Sequence, residues 1–265
     1  MTHPDQESPV QWRNFPGVYN RLAPPLRPAP SDVERMREAI SAHDDPSLLL
    51  GVTPGIATLG RDLIAVEGSR MMIDRLWPGD QPNRKAIVGD WTALPFEAGR
   101  FGAVIGDGAL NSVASGLDSL IGEIARVLRG GGIAAQRVFA SPAERESLET
   151  VRGDALGGRI GNVHALKWRI AMAIAEAPDF LVSVADILSA FNAMFPDRAE
   201  LASTTGWDRL EIDTLDAYVG AWHSLCFPTR AALEDLGADR FASLRLVESD
   251  GYPLAERCPL VVWTR

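Results

Sequence analysis

Five short apolar runs, each closing near glycine, an acid or a break in the pattern, limit most strongly how this chain can fold. They are Leu48-Leu49-Leu50-Gly51, Leu63-Ile64-Ala65-Val66-Glu67, Ala86-Ile87-Val88-Gly89-Asp90, Gly102-Ala103-Val104-Ile105-Gly106-Asp107, and Ile133 to Phe139. They read as continuous apolar runs rather than alternating ones, so each predicts a strand buried on both faces, as in a parallel sheet covered by helices. Helical patterns fall between them. Arg70 to Leu76 follows a Ser69 cap and is stopped by Trp77-Pro78-Gly79-Asp80; Leu117 to Leu128 is broken by Arg129-Gly130-Gly131-Gly132. This alternation predicts βαβ units with right-handed crossovers in an α/β domain. Ligands of such sheets lie outside the strand carboxyl ends, which puts Glu67, Asp90 and Asp107 on one binding edge. The turn Gly51-Val52-Thr53-Pro54-Gly55 lies on that edge too, and its glycines permit close backbone approach.

Upstream, Ser31-Asp32-Val33-Glu34 reads as a capping box for a helix with Val33, Met36 and Ile40 on one face, ending near Ala42. Residues 1–30 carry Pro4, Pro9, Pro16, Pro24, Pro25, Pro28 and Pro30, which favour extended or irregular backbone. Trp12, Phe15, Tyr19 and Leu22 give this arm side chains with which to pack on the domain near the ligand. Downstream, Ser141 to about Gly237 is mostly helical in pattern, with helices over Asn162 to Glu176 and Val184 to Phe195, and reads as a cap inserted over the ligand edge. A short helix over Ala231 to Leu236 follows. Leu244 to Glu248 and Pro259 to Trp263, joined through Ser249-Asp250-Gly251-Tyr252, suit an antiparallel pair. The expected organisation is an arm over 1–30, a core over 31–140, a helical cap over 141–228, and a helix and strand pair over 229–265 that complete the sheet.

Composition narrows the function. A chain of 265 residues, 46% hydrophobic and 23% charged, has the makings of a substantial core. Its net charge of −9 speaks against nucleic acid as a partner, since that needs concentrated Lys and Arg. Cys226 and Cys258 stand far apart and outside any CxxC or Cys/His cluster, so neither a disulfide framework nor a metal site is expected. The opening MTHPDQESPVQWRNF has no basic and apolar export pattern, and no apolar run approaches the roughly 18 residues of a membrane helix. A cytoplasmic protein with no membrane partner is the expectation.

The order of elements, with its acids in place, resembles the class I S-adenosylmethionine-dependent methyltransferases. Leu48 to Gly55 matches that family's first motif, and Glu67, sixteen positions after Gly51, matches the acid that takes the two ribose hydroxyls. Val88-Gly89-Asp90-Trp91-Thr92-Ala93-Leu94-Pro95-Phe96 is similar to the segment whose acid meets the adenine amino group. Phe101 to Asp107 is similar to the fourth-strand motif beside the methyl group, and Glu123 to Gly132 to the family's RVLKPGG turn. The resemblance implies a Rossmann-like, seven-stranded, mostly parallel sheet with helices on both faces and the last strand antiparallel. It implies S-adenosylmethionine as cofactor, S-adenosylhomocysteine as product, and a reaction of the EC 2.1.1 type. Gly51, Thr53, Gly55, Glu67, Gly68, Met72, Asp90, Trp91 and Asp107 become the cofactor residues, with Trp91 beside the adenine.

Two positions depart from the family. Leu49 stands where it usually has an acid, and Thr53 where it has its middle glycine. Asp107, Thr53 or backbone carbonyls are then left to hold the methionine amino group, and Tyr19 and Arg27 of the arm to meet its carboxylate. A nicotinamide-binding fold shares the turn and the acid, but its fingerprint needs glycine at first, third and sixth positions, where this chain has Gly51, Thr53 and Ile56.

Methyl transfer from a sulfonium is an in-line displacement that rewards positioning. A small-molecule acceptor is expected, selected by Arg159 to Trp168 and Thr214 to Phe227. Should the nucleophile carry a proton, His164 at a helix start is the first candidate base and His223 the second, each with packing as the plainer reading. Asn111 should face substrate from the fourth-strand loop. Lys167 and Arg169 read as solvated helix residues, with anchoring of an anionic substrate group as the alternative. Two classes stay open, an enzyme and a non-catalytic protein that binds S-adenosylmethionine or S-adenosylhomocysteine as sensor or partner subunit. A homodimer is compatible with either.

Overall fold

A computed structural model describes residues 10–42 and 44–265, with side chains from Asn14 onward. Pro4, Pro9, the export-signal reading of the first nine residues and the side chain of Trp12 fall outside it. The chain begins with α1 (Val10–Val18), a single 3-10 turn (Tyr19–Arg21) and α2 (Pro30–Ile40). The alternating region then runs β1 (Pro46–Leu50), β2 (Arg61–Glu67), α3 (Arg70–Leu76), β3 (Arg84–Val88), β4 (Phe101–Asp107), α4 (Ala109–Ser112), α5 (Leu117–Val127) and β5 (Leu128–Arg137). Next come α6 (Leu148–Leu156), α7 (Val163–Ile174), β6 (Leu181–Ser183), α8 (Val184–Met194), α9 (Arg198–Thr205), α10 (Arg209–Ile212) and β7 (Ser224–Cys226). The chain ends with α11 (Arg230–Gly237), β8 (Ser243–Val247) and β9 (Leu260–Thr264).

Seven strands form one sheet in the order β3-β2-β1-β4-β5-β9-β8. β1 to β5 are mutually parallel, while β9 runs antiparallel to both β5 and β8. The order reverses between β1 and β4, so the carboxyl ends of β1 and β4 flank the crevice where an open α/β sheet binds ligands. Continuous apolar strands supply both faces. Leu48, Leu50, Ile64, Val66 and Val104 pack with Leu120, Ile121 and Ile124 of α5, whereas Leu49, Ala65, Ala103 and Ile105 pack with Met36 and Ile40 of α2 and Ile73 of α3. A further core joins α6 to α9 with β6 and β7 around Leu166, Ile170, Ile187, Phe191 and Phe227. β6 and β7 pair antiparallel, a short ribbon within a stretch whose sequence pattern is helical.

Several expectations shift. The arm is helical over Val10–Val18 despite Pro16, whose missing N–H costs only one hydrogen bond in so short a helix. α2 starts at Pro30, where proline suits the first helical position, and Asp32 rather than Ser31 closes its end by accepting from the Ala29 N–H at 2.9 Å. β3 stops at Val88, so Asp90 lies in the following loop and not on the strand. The glycine run 130–132 lies inside β5, where a register shift between Phe101 and Ala103 accommodates it.

Candidate active site

The first turn leaves β1 through Gly51, held at φ +94° and fixed by its N–H to the Val66 carbonyl at 2.8 Å. L side chains rarely adopt that angle, and a Cβ there would meet Trp91 at 3.7 Å and the Glu67 Oε2 at 3.8 Å. Glu67 ends β2 with its carboxylate buried, its Oε1 accepting from the Ser69 N–H at 2.8 Å. Burial pushes its pKa from 4.5 up to about 7, against the Ser69 and Gly68 amides. Trp91, after β3, is locked by its indole N–H to the Val66 carbonyl at 2.6 Å. Asp90 uses one oxygen to accept from both the amide and hydroxyl of Thr92 at 2.7 Å, the local turn typical of aspartate.

At the end of β4, Asp107 sits opposite Arg137 of β5 in the parallel register. The buried guanidinium donates to Asp107 at 2.7 Å and to the Pro25 carbonyl at 2.9 Å, and Asp32 lies 3.8 Å away. Burial, opposed by Arg137, keeps the Asp107 carboxyl above the ordinary aspartate range. Asn111 is saturated. It donates to the carbonyls of Phe139 and Cys226 at 2.8 and 2.7 Å and accepts from the Phe139 N–H at 3.0 Å, fastening α4 to the strands beside it.

Opposite this edge stands a wall built from α7, residues 213–218 and β7. Asn162 caps α7 by accepting from the Ala165 N–H at 2.8 Å, and every residue from Val163 to Ala173 is buried. Lys167 is therefore no solvated helix residue, being 4% exposed with its Nζ between the rings of Trp168 and Tyr218, 4.8 and 4.7 Å from their centroids. Burial lowers its pKa to about 7. Arg169, three-dimensionally separate in role, is engaged by Glu146 and Asp154. His223 donates from Nε2 to the Ser112 carbonyl at 2.9 Å, which puts the imidazole lone pair on Nδ1, and burial holds its pKa below the ordinary value.

A cavity of about 620 Å³ joins the two sides. Among the expected residues, Tyr19, Gly51, Thr53, Glu67, Gly68, Met72, Asp90, Trp91, Asp107, Asn111 and His223 line it. Phe15 and Tyr19 bring α1 and the turn after it onto its wall, and burial together with Asp107 raises the Tyr19 hydroxyl to about 12. Three expected residues are placed elsewhere. His164 is buried behind the wall with its Nε2 donating to the Arg21 carbonyl at 3.3 Å, and burial, then Lys167, push its pKa down to about 4. Arg27 stacks over the Tyr19 ring at 5.6 Å, outside the lining residues. Gly55 lies against Pro28, where a Cβ would be 3.5 Å from the ring. Leu49, at the position of the family's acid, is fully buried in the α2 and α3 core, while its neighbour Leu50 lines the cavity.

Sequence reasoning passed over Arg137 and undervalued Lys167. The signal for the first was a charged residue ending an otherwise apolar strand, matched in register by Asp107; for the second, a helix apolar on every side except for His164, Lys167 and Arg169.

Residues 51–135 match the family model described as a methyltransferase domain. No curated protein matches the sequence. Among solved structures, the CcbJ methyltransferase of Streptomyces caelestis is similar over 96% of this chain and 97% of its own, at 14% identity and a TM-score of 0.53. A Rhodobacter sphaeroides chain named after Zn-dependent alcohol dehydrogenases is similar over 97% and 98%, at 14% identity and a TM-score of 0.57. At such identities the likeness is one of fold. Among the described residues, no group of three or more His, Cys, Asp or Glu is placed to hold a metal ion. Residues 51–135 thus carry a match to a methyltransferase domain, set on a sheet whose last strand enters antiparallel beside five parallel ones.

Proposed function

We propose that the protein methylates a small-molecule acceptor held between the sheet edge and the segment 141–228, which acts as its cap. The observation that carries this reading is the single cavity running from Gly51 and Glu67 to Lys167, Trp168, Tyr218 and His223. Its volume lies within the roughly 300–1,000 Å³ of small-molecule sites. When bound, S-adenosylmethionine supplies an electrophilic methyl carbon whose transfer leaves the C–S electron pair on sulfur, giving S-adenosylhomocysteine.

The chain's own residues do the rest by holding and enclosing. Glu67, buried at the β2 end with its Oε2 beside Gly51, accepts from the ribose hydroxyls, and Gly51 admits the ribose by lacking a side chain. Trp91, pinned to Val66, and Met72 flank the adenine, with Asp90 at its amino group. Asp107, Thr53 and Tyr19 surround the methionine end. Phe15, Val184, Leu225 and Tyr218 exclude water from the space beyond. Holding nucleophile and methyl carbon in line is worth roughly 7–11 kcal/mol of barrier. Where the acceptor carries a proton, His223 takes it on Nδ1, since its hydrogen bond to Ser112 fixes the tautomer and its lowered pKa keeps it neutral near pH 7. His164 has no such place on the wall. The two thiols, Cys226 and Cys258, are buried and unpaired, which supports work in a reducing cytoplasm.

Calorimetric titration with S-adenosylhomocysteine tests the shared premise, and absence of binding would sink it. Incubation of a metabolite extract with methyl-labelled S-adenosylmethionine then separates an enzyme from a silent binder. A labelled small molecule, lost when tryptophan replaces Leu225 on the cavity wall, is the expected result. Binding without any labelled product would leave the non-catalytic reading.

A further inference from the structure

Lys167, Trp168 and Tyr218 bring three hydrogen-bond donors together on one wall of the cavity, and no hydrogen-bond acceptor on that wall meets them among the described residues. The Lys167 ammonium forms no ion pair or hydrogen bond among the described residues, and the faces of Trp168 and Tyr218 meet it. The Trp168 indole N–H is buried without a partner on a residue 6% exposed. The Tyr218 hydroxyl makes no hydrogen bond among the described residues, and burial raises its pKa so that it stays protonated. Every other buried cation nearby is matched: Arg137 by Asp107, and Arg169 by Glu146 and Asp154. An ammonium taken out of water without a counter-ion is costly, and a buried indole N–H without an acceptor adds to that cost. A ligand anion beside Lys167 removes the first of these costs.

We infer that the methyl acceptor is an apolar acid whose carboxylate pairs with Lys167 and takes hydrogen bonds from this wall. The inference rests on the methyltransferase reading above and names the substrate class of the same cavity. Val184 and Leu225 beside these donors supply the apolar surroundings. Lys167 is also the sole lysine or arginine among the described residues that line the cavity. Burial brings its pKa to about 7, and an anion at the site would return it toward its ordinary value, fixing the charged form. A second carboxylate, that of the cofactor's methionine end, offers the same chemistry. Lys167 belongs to the wall with His223 and Leu225, across the cavity from Gly51 and Glu67, which favours the acceptor.

The test uses calorimetry on the full chain saturated with S-adenosylhomocysteine, with 2-naphthoate, benzoate and 4-hydroxybenzoate as probes beside their neutral primary amides. At least one acid should bind tenfold or more tightly than its amide, and Lys167→Met should abolish that preference while leaving S-adenosylhomocysteine affinity within twofold. Equal binding of acid and amide, binding of no acid, or a preference that survives Lys167→Met would overturn the inference. A tenfold loss of S-adenosylhomocysteine affinity in Lys167→Met would overturn it too, by giving the lysine to the cofactor. The wild-type acid and amide comparison stands even if the variant fails to fold. Failure of the wild type to bind S-adenosylhomocysteine is the distinct result that removes the methyltransferase reading itself.

Discussion

Replacing Glu67 by Gln should make the ligand-free protein more stable at pH 8 and a poorer cofactor binder. In the fold this carboxyl titrates near 7 against an ordinary 4.5, because burial penalises its ionised form. The native state therefore binds more protons than the unfolded one between those values. Stability from this group is fully present below pH 4.5, falls as pH rises to about 7, and is level above that. The rise from 4.5 to about 7 corresponds to about 3 kcal/mol against the ionised state. For a chain of this size that is a melting shift on the order of 5–10 °C. Gln keeps the acceptor for the Ser69 N–H and removes the charge. Differential scanning calorimetry at pH 5 and pH 8 should thus show wild type losing stability between the two and Glu67→Gln losing much less. Titration of S-adenosylhomocysteine should show the reverse ranking, with the variant more than tenfold weaker, since charge-assisted hydrogen bonds to two hydroxyls are worth about 1.5–3 kcal/mol each. Parallel pH profiles for the two proteins would refute the assigned burial cost; unchanged affinity would mean that the ribose lies elsewhere.

Other substitutions separate structure from binding. Asp107→Asn leaves the buried Arg137 guanidinium with only Asp32, 3.8 Å away, as counter-charge and should destabilise by about 2–4 kcal/mol, read by urea denaturation. Gly51→Ala forces a side chain to φ +94° toward Glu67 and should cost about 1–2 kcal/mol of stability and at least tenfold in S-adenosylhomocysteine affinity, measured by calorimetry. Asn111→Ala strips the amide that joins Phe139 to Cys226 and should lower stability by about 1–3 kcal/mol, seen as a drop in melting temperature. His164→Ala, away from the cavity wall, should leave S-adenosylhomocysteine affinity within twofold.

The sheet was legible because its strands are buried on both faces, so each reads as an unbroken apolar run with its acid or glycine at the ligand end. Glu67 and Gly51 could be located from spacing alone for that reason. Strand ends were less certain. Gly89, between Val88 and Asp90, carries no apolar signal that separates strand from turn, and the glycine run 130–132 pairs in β5 only because the register shifts there. The wall opposite could not be read. α7 is enclosed by neighbours on all sides, and nothing local distinguishes a lysine that enters a cavity from one that reaches water. His164 and Lys167 lie one turn apart, yet Arg21 covers the first and the cavity admits the second. The pairing of Arg137 with Asp107 spans thirty residues and depends on the parallel register, a tertiary fact.

That guanidinium has a consequence for the whole chain. Arg137 binds Asp107 on the cavity floor with one nitrogen and the backbone of Pro25 with another, and Pro25 precedes Leu26, which lines the cavity from the arm. Floor and cover thus share one side chain as a common node. A ligand amine that donates to Asp107 alters the charge available to the Pro25 carbonyl, so occupancy and arm position are linked quantities. Linkage is reciprocal: whatever factor the seated arm adds to cofactor affinity, bound cofactor returns to the seating of the arm.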